Sequence, residues 1–474
     1  MSQKQHHTTP AADRIPLMQK SAYSVGMFVN NLQAAALPAM MIILNLGLGI
    51  DPFLVGILGF IPRIFDALSD PMLGYISDNT RSRWGRRRPY IFAGAILSGL
   101  IFALMWQLPE GHSETFYFWS FLIALILFFL AYTIYATPFV AFGYEMTADY
   151  HERTRLHAFA NTVGQLAWIG VPWFYMLMSN ENLFRDTVHG ARTLAIWVGA
   201  VVAVLGIMPA ILCRERRFDA PKKQSEGVLK NTKEFISGIT VTFKCKPFVK
   251  LCASTFLVFN GFQLGISFSL YIMIYYLFNG NNYLAGKLNG WFGMLTSIAT
   301  LGVIPLTGWI ATRLGKRNTF LLTISLSLAG YALKWFGYNP DMPYLLLAAA
   351  PFVAFGTGSL FTLMGSMISD VCDYDELTTH ERREGVFGAI YWWMVKVGMA
   401  LAGLLTGILL KVSGFDEALA QQTPETLLQL RIFDVGIPLI TSAIALYIIY
   451  SYPITEERAY EIRAELESRR GKIG

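Results

Sequence analysis

Long apolar segments, separated by short polar ones, repeat along almost the whole chain. Each is about 20 residues or longer, which at a rise of 1.5 Å per residue lets an α-helix cross a hydrocarbon layer about 30 Å thick. Turn residues and charged clusters separate twelve such segments. The predicted membrane-spanning helices are 22–48, 52–77, 90–108, 116–145, 156–178, 193–213, 247–278, 284–311, 319–338, 343–369, 386–411 and 431–452.

The longest internal polar segment lies between the sixth and seventh predicted helices and divides the chain into two sets of six. A weak internal repeat supports a duplication, because GYISDNTRSRWGRRR after the second helix resembles GWIATRLGKRN after the eighth. Paired six-helix halves are typical of two-bundle transporters. The predicted parts are a cytoplasmic tail 1–21, a first bundle 22–213, a cytoplasmic loop 214–246, a second bundle 247–452 and a cytoplasmic tail 453–474.

Composition agrees with a membrane protein, since 54% of the residues are hydrophobic and only 15% are charged, against about 25% charged in soluble domains. Most of the 38 Lys and Arg residues fall in segments on one side of the predicted topology, whereas the loops on the other side carry Arg185 and Arg192. The positive-inside rule then places both termini in the cytoplasm. We therefore expect an all-α polytopic protein of a bacterial inner membrane that functions as a monomer, with no nucleic-acid partner despite its net charge of +6.

Charged residues in the second predicted helix carry the strongest functional signal. Asp66 and Asp70 are four residues apart, so both carboxylates share one helix face, and Arg63 lies on the same face. A charge at the bilayer centre costs between about 3 and more than 10 kcal/mol, so this face must line a wet or ion-paired interior. Two carboxylates one turn apart repel when both are ionised, which favours binding of a proton or a monovalent cation. The alternative is a purely structural pairing of Arg63 with Asp66 and of Lys396, in the eleventh helix, with Asp70.

Amide and aromatic side chains in other helices are candidates for a solute cavity. Amides donate and accept hydrogen bonds, and aromatic faces pack against the C–H faces of sugar rings. Helix–helix hydrogen bonding is the alternative role for each amide taken alone. The predicted solute residues are Asn31, Tyr132, Asn161, Gln165, Trp168, Asn260, Gln263, Phe361 and Trp392, with Asn30 and Gln33 as further polar positions of the first helix.

Charged residues flank two of the predicted cytoplasmic loops. Ion pairs between them would close the inner side of a transporter and open when it switches, whereas a solvated charged loop is the alternative. The predicted gate residues are Glu145, Asp149, Arg153, Asp370, Asp373, Arg382 and Arg383.

An enzyme is disfavoured, because the sequence shows no metal-ligand spacing, no nucleophile–base pattern and short outward loops. We expect no resident cofactor or metal beyond a coupling Na⁺ or H⁺. The expected partners are a small sugar-like solute, a monovalent cation and the lipid bilayer.

Three motifs support a more specific interpretation. The segment RIFDALSDPMLGYISDNTRSRWGRRRP, the pair YTIYATPF and ADYHERTRL, and VCDYDE followed by MVKVGMALAG resemble the glycoside–pentoside–hexuronide:cation symporter family of the major facilitator superfamily. The resemblance implies that the coupling ion is held by the two helix 2 acids, the serine between them and a helix 4 threonine, beside a helix 11 lysine. In this chain those residues are Asp66, Ser69, Asp70, Thr133 and Lys396.

Departures from the melibiose-transporting type of that family concern the solute. Its sugar-binding acids match Asn31 and Ala136 here, its helix 4 tryptophan matches Val140, and its helix 5 arginine matches Asn161. The aromatic residue that contacts sugar in helix 10 matches Phe361. The resemblance thus implies cation-coupled symport by alternating access, with either an anionic sugar or a neutral glycoside as solute. A lysolipid carrier on the same fold is the rival within transport.

Overall fold

The computed structural model describes residues 14–109, 111–147, 149–215, 242–380, 383–419 and 421–470. Every regular element in these ranges is a helix, so the predicted all-α class is confirmed. The long helices are α1 Leu17–Leu46, α2 Pro52–Asn79, α3 Arg88–Met105, α4 Glu114–Glu145, α5 Tyr150–Gly170, α6 Thr187–Gly206, α7 Lys246–Ile272, α8 Asn282–Leu314, α9 Lys316–Gly337, α10 Ala350–Thr379, α11 Glu384–Val412, α12 Pro424–Tyr450 and α13 Glu456–Arg470.

Short helical turns extend several of these helices. Pro172 follows α5, where it lacks the N–H that a continuing α-helix needs, and the chain forms a 3₁₀ turn before it resumes as a short helix. The extensions are Val171–Trp173 and Phe174–Met178 after α5, Met208–Leu212 after α6, Met273–Leu277 after α7 and Pro343–Ala349 before α10.

Eleven helical segments in the described ranges are long and apolar enough to cross a membrane. Helix α5 is not among them, since its first turns carry Glu152, Arg153 and Arg155. A multi-pass membrane protein is therefore shown, whereas the twelfth span and the cytoplasmic location of the termini stay predictions.

Helix starts differ from the prediction where a capping residue lies before a charged one. Helix α12 begins at Pro424 rather than 431, because Thr423 Oγ1 accepts the Thr426 N–H at 3.2 Å. Helix α6 begins at Thr187 rather than 193, because Asp186 Oδ1 accepts the His189 N–H at 2.8 Å. The predicted spans begin after Arg192 and at Arg431, so they leave out the polar first turns, although a charged side chain is tolerated in the first turns of a helix.

The two sets of six helices pack mainly among themselves. In the first half α1 packs on α5, and α3 packs on α4 and α6; in the second, α7 packs on α12, and α10 packs on α8 and α9. Between the halves, α2 packs along α11, and α5 with its extension packs against α8. The α2–α11 approach is close because it runs over glycines: a Cβ on Gly56 would lie 3.1 Å from the Gly403 carbonyl oxygen.

Two further hydrogen bonds between the halves lie at the end opposite the chain termini, where α1 joins α2 and α7 joins α8. There the Tyr271 hydroxyl and Asn45 Oδ1 are 3.1 Å apart, and the Tyr175 hydroxyl and Asn282 Oδ1 are 3.0 Å apart. These bonds connect helices of different halves, so this end of the molecule is closed.

Candidate cation and solute site

Helix α2 places Asp66 and Asp70 on a face shared with α4 and α11. The Asp66 carboxylate is fully buried and accepts from Thr133 Oγ1 at 2.7 Å and from Lys396 Nζ at 2.8 Å. Asp70 is partly exposed and accepts from the same Lys396 ammonium and from Thr137 Oγ1 at 3.2 Å. One lysine from the second half of the chain thus bridges two carboxylates of the first half.

Thr137 is a neighbour of the acids that the sequence prediction missed. Thr133 and Thr137 are four residues apart on α4, the same spacing as Asp66 and Asp70 on α2. Two packed helices with matching spacings can pair their residues turn by turn. That shared spacing, visible in the sequence once α2 and α4 are taken as neighbours, is the signal that could have found Thr137.

Ser69 and Arg63 do not contact the carboxylates. The Ser69 hydroxyl donates to the Asp66 backbone carbonyl at 3.1 Å. The Arg63 guanidinium lies over the Phe129 ring, with Cζ 4.8 Å from the centroid, and no carboxylate in the described part of the chain lies within 4 Å of it. The alternative pairing of Arg63 with Asp66 is therefore wrong, because Lys396 takes both acids.

Aromatic side chains form a stack close to Lys396. Trp392 lies one turn before Lys396 on α11, and its ring is parallel to that of Phe361 with centroids 6.1 Å apart. Phe259 of α7 meets Phe361 edge-on at 5.8 Å. Trp392 is 57% exposed, so this stack offers a free aromatic face beside the charged cluster.

Three amide side chains have buried atoms without a partner among the described residues: Asn30, whose Oδ1 is unpaired, Gln33 and Asn260. Asn260 Nδ2 donates to the Phe256 carbonyl at 2.8 Å, but its buried Oδ1 has no partner. Asn260 packs on α11 beside Gly398, where a Cβ would lie 2.6 Å from its amide nitrogen. Gln33 of α1 is 2% exposed, and neither its amide oxygen nor its amide nitrogen has a partner. A buried polar atom without a hydrogen bond costs about 1–3 kcal/mol, so each favours a polar ligand.

The other predicted solute residues are spread over both halves. Asn31 of α1 lies against α5, where a Cβ on Gly164 would be 2.8 Å from its amide nitrogen. Tyr132 stacks in parallel on Phe128 at 6.2 Å and interacts electrostatically with Asp66. Of these residues, Asn161 and Trp168 are exposed, whereas the others, Asn31, Tyr132, Gln165 and Gln263, are half-buried.

The predicted gate residues of the first half bind within that half. Glu145 accepts from Arg86 at 2.5 Å and lies 3.0 Å from Arg87. Asp149 caps α5 by accepting the Glu152 N–H at 2.7 Å. Arg153 donates to the Thr147 carbonyl at 3.1 Å.

Of the predicted gate residues of the second half, Asp370 and Arg383 also bind partners within that half. Asp370 pairs with Lys316 at 2.7 Å, and Arg383 pairs with Asp375 at 2.6 Å. Asp373 lies on α10, between the two acids that these cations bind. Arg382 lies outside the described residues.

Comparisons with known proteins agree with this architecture. The glucuronide carrier protein homolog of Escherichia coli (strain K12) is 26% identical over 458 residues, which cover 94% of this chain and 95% of that protein. The isoprimeverose transporter of Lactiplantibacillus pentosus is 24% identical over 463 residues, 93% of this chain and 92% of its own. The crystal structure of the nucleoside transporter NupG superposes with a TM-score of 0.62 at 13% identity, covering 92% of this chain and 97% of that one.

The family model for MFS/sugar transport proteins matches residues 22–456, which is almost the whole chain. The structural likeness to NupG shows the same fold at an identity too low to carry function. The chain belongs to the MFS/sugar transport protein family and is a multi-pass membrane transporter, not an enzyme.

Proposed function

We propose that the protein is a symporter in which Na⁺ or H⁺ binds at Asp66 and Asp70 and drives uptake of a sugar-like solute. The observation that carries the proposal is the position of Lys396. Its ammonium lies between two carboxylates that belong to the other half of the molecule. A cation bound to those carboxylates takes over the role of the ammonium, so ion binding and the contact between the halves are linked.

Coupling follows from that competition. When a cation neutralises one carboxylate charge, Lys396 loses part of its attraction to α2 and can turn towards the solute. Without the cation, separating the halves at this point would leave buried charges unpaired, which is costly in a low-dielectric interior. The halves therefore switch with the ion pair intact or with cation and solute bound, as alternating access requires.

Thr133, Thr137 and Ser69 complete the proposed ion site. The two threonine hydroxyls lie within hydrogen-bond distance of the carboxylates and add oxygen atoms of the kind that hard cations bind. The Ser69 hydroxyl donates to a backbone carbonyl, so it would act only after rotating.

The solute would lie between the halves, close to Lys396. The free face of Trp392 packs against a sugar ring, while Asn260 and Gln33 supply unpaired amide atoms for its hydroxyl groups. Further proposed lining residues are Asn31, Tyr132, Asn161, Gln165, Trp168, Gln263 and Phe361.

The conformation is assigned from which end is closed. Taking both termini as cytoplasmic, we propose that the contacts of Tyr271 and Tyr175 close the outer side and that this conformation is inward-facing. In this state Glu145 and Asp370 bind cations of their own half, Arg86 and Lys316. We propose that some of these residues exchange partners across the halves when the inner side closes.

The test is uptake into proteoliposomes under an inward Na⁺ or H⁺ gradient. The variant Asp70→Asn removes one carboxylate charge while keeping its size, and we expect it to abolish concentrative uptake. Asp341→Asn, in an exposed loop, is the matched control and should behave as the wild type. Full accumulation by Asp70→Asn would refute the proposed coupling site.

The solute panel for this test contains neutral disaccharides, pentosides, hexuronides and a lysolipid. Accumulation of one sugar with one ion identifies the substrate class and the coupling ion together. Movement of the lysolipid alone would refute the sugar-like substrate and favour the rival carrier function.

A further inference from the structure

We infer that Asn289 and Ser297 of α8 form a latch with the proline break that follows α5. They bind two backbone carbonyls around Pro172 and hold shut the closed end of the molecule, where α1 joins α2 and α7 joins α8. Both are positioning residues for the switch between conformations. The inference goes beyond the proposed function, because it concerns how the closed end is held, whichever ion or solute is carried.

Pro172 leaves a backbone carbonyl of α5 without its helical donor. In a continuous α-helix the N–H of residue 172 would donate to the Trp168 carbonyl, four residues earlier, and proline has no N–H. The Val171 N–H, one residue before it, still donates to the Ala167 carbonyl. The chain then continues as the 3₁₀ turn Val171–Trp173. The sequence of α5 therefore leaves the Trp168 carbonyl open to a donor from elsewhere.

Helix α8 supplies that donor from the other half of the chain. Ser297 Oγ donates to the Trp168 carbonyl at 3.0 Å. Two turns earlier on α8, Asn289 Nδ2 donates to the Pro172 carbonyl at 3.1 Å. Both donors belong to the second half and both acceptors to the first. These bonds therefore exist only while the halves are in contact at this end.

Small residues let the two helices approach closely enough for these bonds. Gly290, Gly293 and Ser297 are three and four residues apart, so they share one face of α8. A Cβ on Gly290 would lie 2.6 Å from the Trp173 ring, and one on Gly293 would lie 2.5 Å from the Pro172 ring. The rings at the break thus fill the space that these glycines leave free.

The contact ends soon after Ser297. Ile298, Leu301 and Ile304 are exposed, and a Cβ on Gly302 would meet no atom within 4 Å. The first turns of α8 therefore hold the halves together while the rest of the helix lies apart from the first half. When this end opens, water can bind the two freed carbonyls, so each bond shifts the equilibrium moderately and does not lock it.

The experiment measures opening as a distance. Fluorophores are attached through unnatural amino acids at Glu181 and Asp341, exposed loop residues of the two halves at the closed end. Single-molecule energy transfer in nanodiscs, without solute, then gives the ratio of molecules with this end open to molecules with it closed.

Ser297→Ala and Asn289→Ala should each raise that ratio about 2- to 10-fold, the range for losing one hydrogen bond. Gly290→Ala should raise it by about 5-fold or more, because its methyl group overpacks against Trp173, while alanine favours the helix itself. Ser325→Ala is the matched control, since Ser325 is an exposed serine whose hydroxyl donates to the Leu321 carbonyl of its own helix. It should leave the ratio unchanged.

A double-mutant cycle tests the role of the proline. Pro172→Ala restores a backbone N–H that can donate to the Trp168 carbonyl. In that background Ser297→Ala should change the ratio by less than about 2-fold, below the range for a lost hydrogen bond. The melting temperature of Pro172→Ala shows whether it folds, and the single variants decide if it does not.

Three results would overturn the inference. In the first, Gly290→Ala opens the closed end but Ser297→Ala and Asn289→Ala do not. In the second, Ser297→Ala has the same effect with and without Pro172, so the serine does not replace the missing donor. In the third, no variant changes the ratio, so α5 and α8 do not hold this end. None of these results bears on the proposed symport, which is tested by uptake.

Discussion

Two charge clusters in this molecule consist of lysine and aspartate, but they differ in charge balance and in whether they join the two halves. In the first, Lys396 bridges Asp66 and Asp70 from the other half of the chain, and its side chain is 25% exposed. In the second, Lys334 pairs with a single acid, Asp434, and the two side chains are 4% and 0% exposed. The first cluster has more acids than lysines and joins the two halves, whereas the second is balanced one to one.

The second cluster is also saturated with hydrogen bonds inside one half. Lys334 Nζ contacts Ser269 Oγ at 2.6 Å and Asp434 Oδ1 at 2.7 Å, and the Tyr338 hydroxyl donates to Asp434 Oδ2 at 2.7 Å. It ties α7, α9 and α12 together. We therefore expect exchange with a cation at the first cluster, which joins the two halves and has a surplus acid, and not at the second.

The largest expected effect is on the saturated cluster. Lys334→Met would leave Asp434 as an unpaired buried charge, which costs about 3–5 kcal/mol of unfolding free energy. Unfolding in detergent micelles measures it, with Lys411→Met as the control, since Lys411 is an exposed lysine paired with Asp51 at 2.9 Å. The double variant Lys334→Met/Asp434→Leu should recover most of the loss. A cost for Lys334→Met no larger than that of the control would contradict the structural role.

A smaller and reversible effect is expected for Lys396→Met. Without the lysine, Asp66 and Asp70 can bind a cation in place of the ammonium. The unfolding free energy of the variant should therefore rise by about 2.7 kcal/mol when the cation is added at 100 times its dissociation constant. The same titration should not stabilise Lys334→Met. Melting curves in Na⁺ and in choline, repeated at falling pH, make the measurement. If Na⁺ or a lower pH stabilised Lys396→Met and Lys334→Met equally, the two clusters would not differ in cation binding.

Thr137→Val tests whether the threonine beside Asp70 belongs to the cation site formed by Asp66 and Asp70. The variant loses the hydroxyl oxygen beside Asp70. For a Na⁺-coupled carrier we expect the half-saturating Na⁺ concentration to rise about 10-fold. This is the low end of the range for losing a hydrogen bond to a charged group, because water can partly replace the hydroxyl. Thr137→Ser keeps the oxygen and should keep the affinity. An unchanged Na⁺ dependence in Thr137→Val would exclude Thr137 from the site.

The smallest effect is expected for the exposed pair of Asp51 and Lys411, which also joins the two halves. Burial acts to raise the pKa of Asp51, but the hydrogen bonds from Lys411 and the Phe53 N–H outweigh it and hold that pKa below its usual value. A lowered pKa in the folded state stabilises the protein above the unfolded value of about 3.9, and the contribution is lost as the pH falls through the lower folded value.

Asp51→Asn should therefore cost about 0.2–1 kcal/mol at pH 7, and its difference from the wild type should shrink as the pH is lowered to about 3, below the unfolded pKa. Melting temperatures at the two pH values test this. A cost as large as that of Lys334→Met would show that an exposed pair between the halves can match the saturated cluster.

The helical membrane class and the proximity of Asp66, Asp70 and Lys396 could be predicted from the sequence, because ionisable residues inside apolar segments are rare and costly unless they pair. The pairing of Asp434 with Lys334 could not. They lie on different helices, and each falls in a predicted span without an assigned role. Their pairing depends on the packing of α9 against α12.

Composition and periodicity by themselves determined that this chain crosses a membrane many times, since apolar segments about 20 residues long are stable there as helices. The tertiary structure alone decided which charges meet. In the folded protein Lys396 binds both acids, Arg63 packs on the Phe129 ring, and Thr137 donates a hydrogen bond to Asp70. Helix period fixes which residues share a face, but the neighbour of that face depends on how the helices pack, and that arrangement is a property of the whole fold.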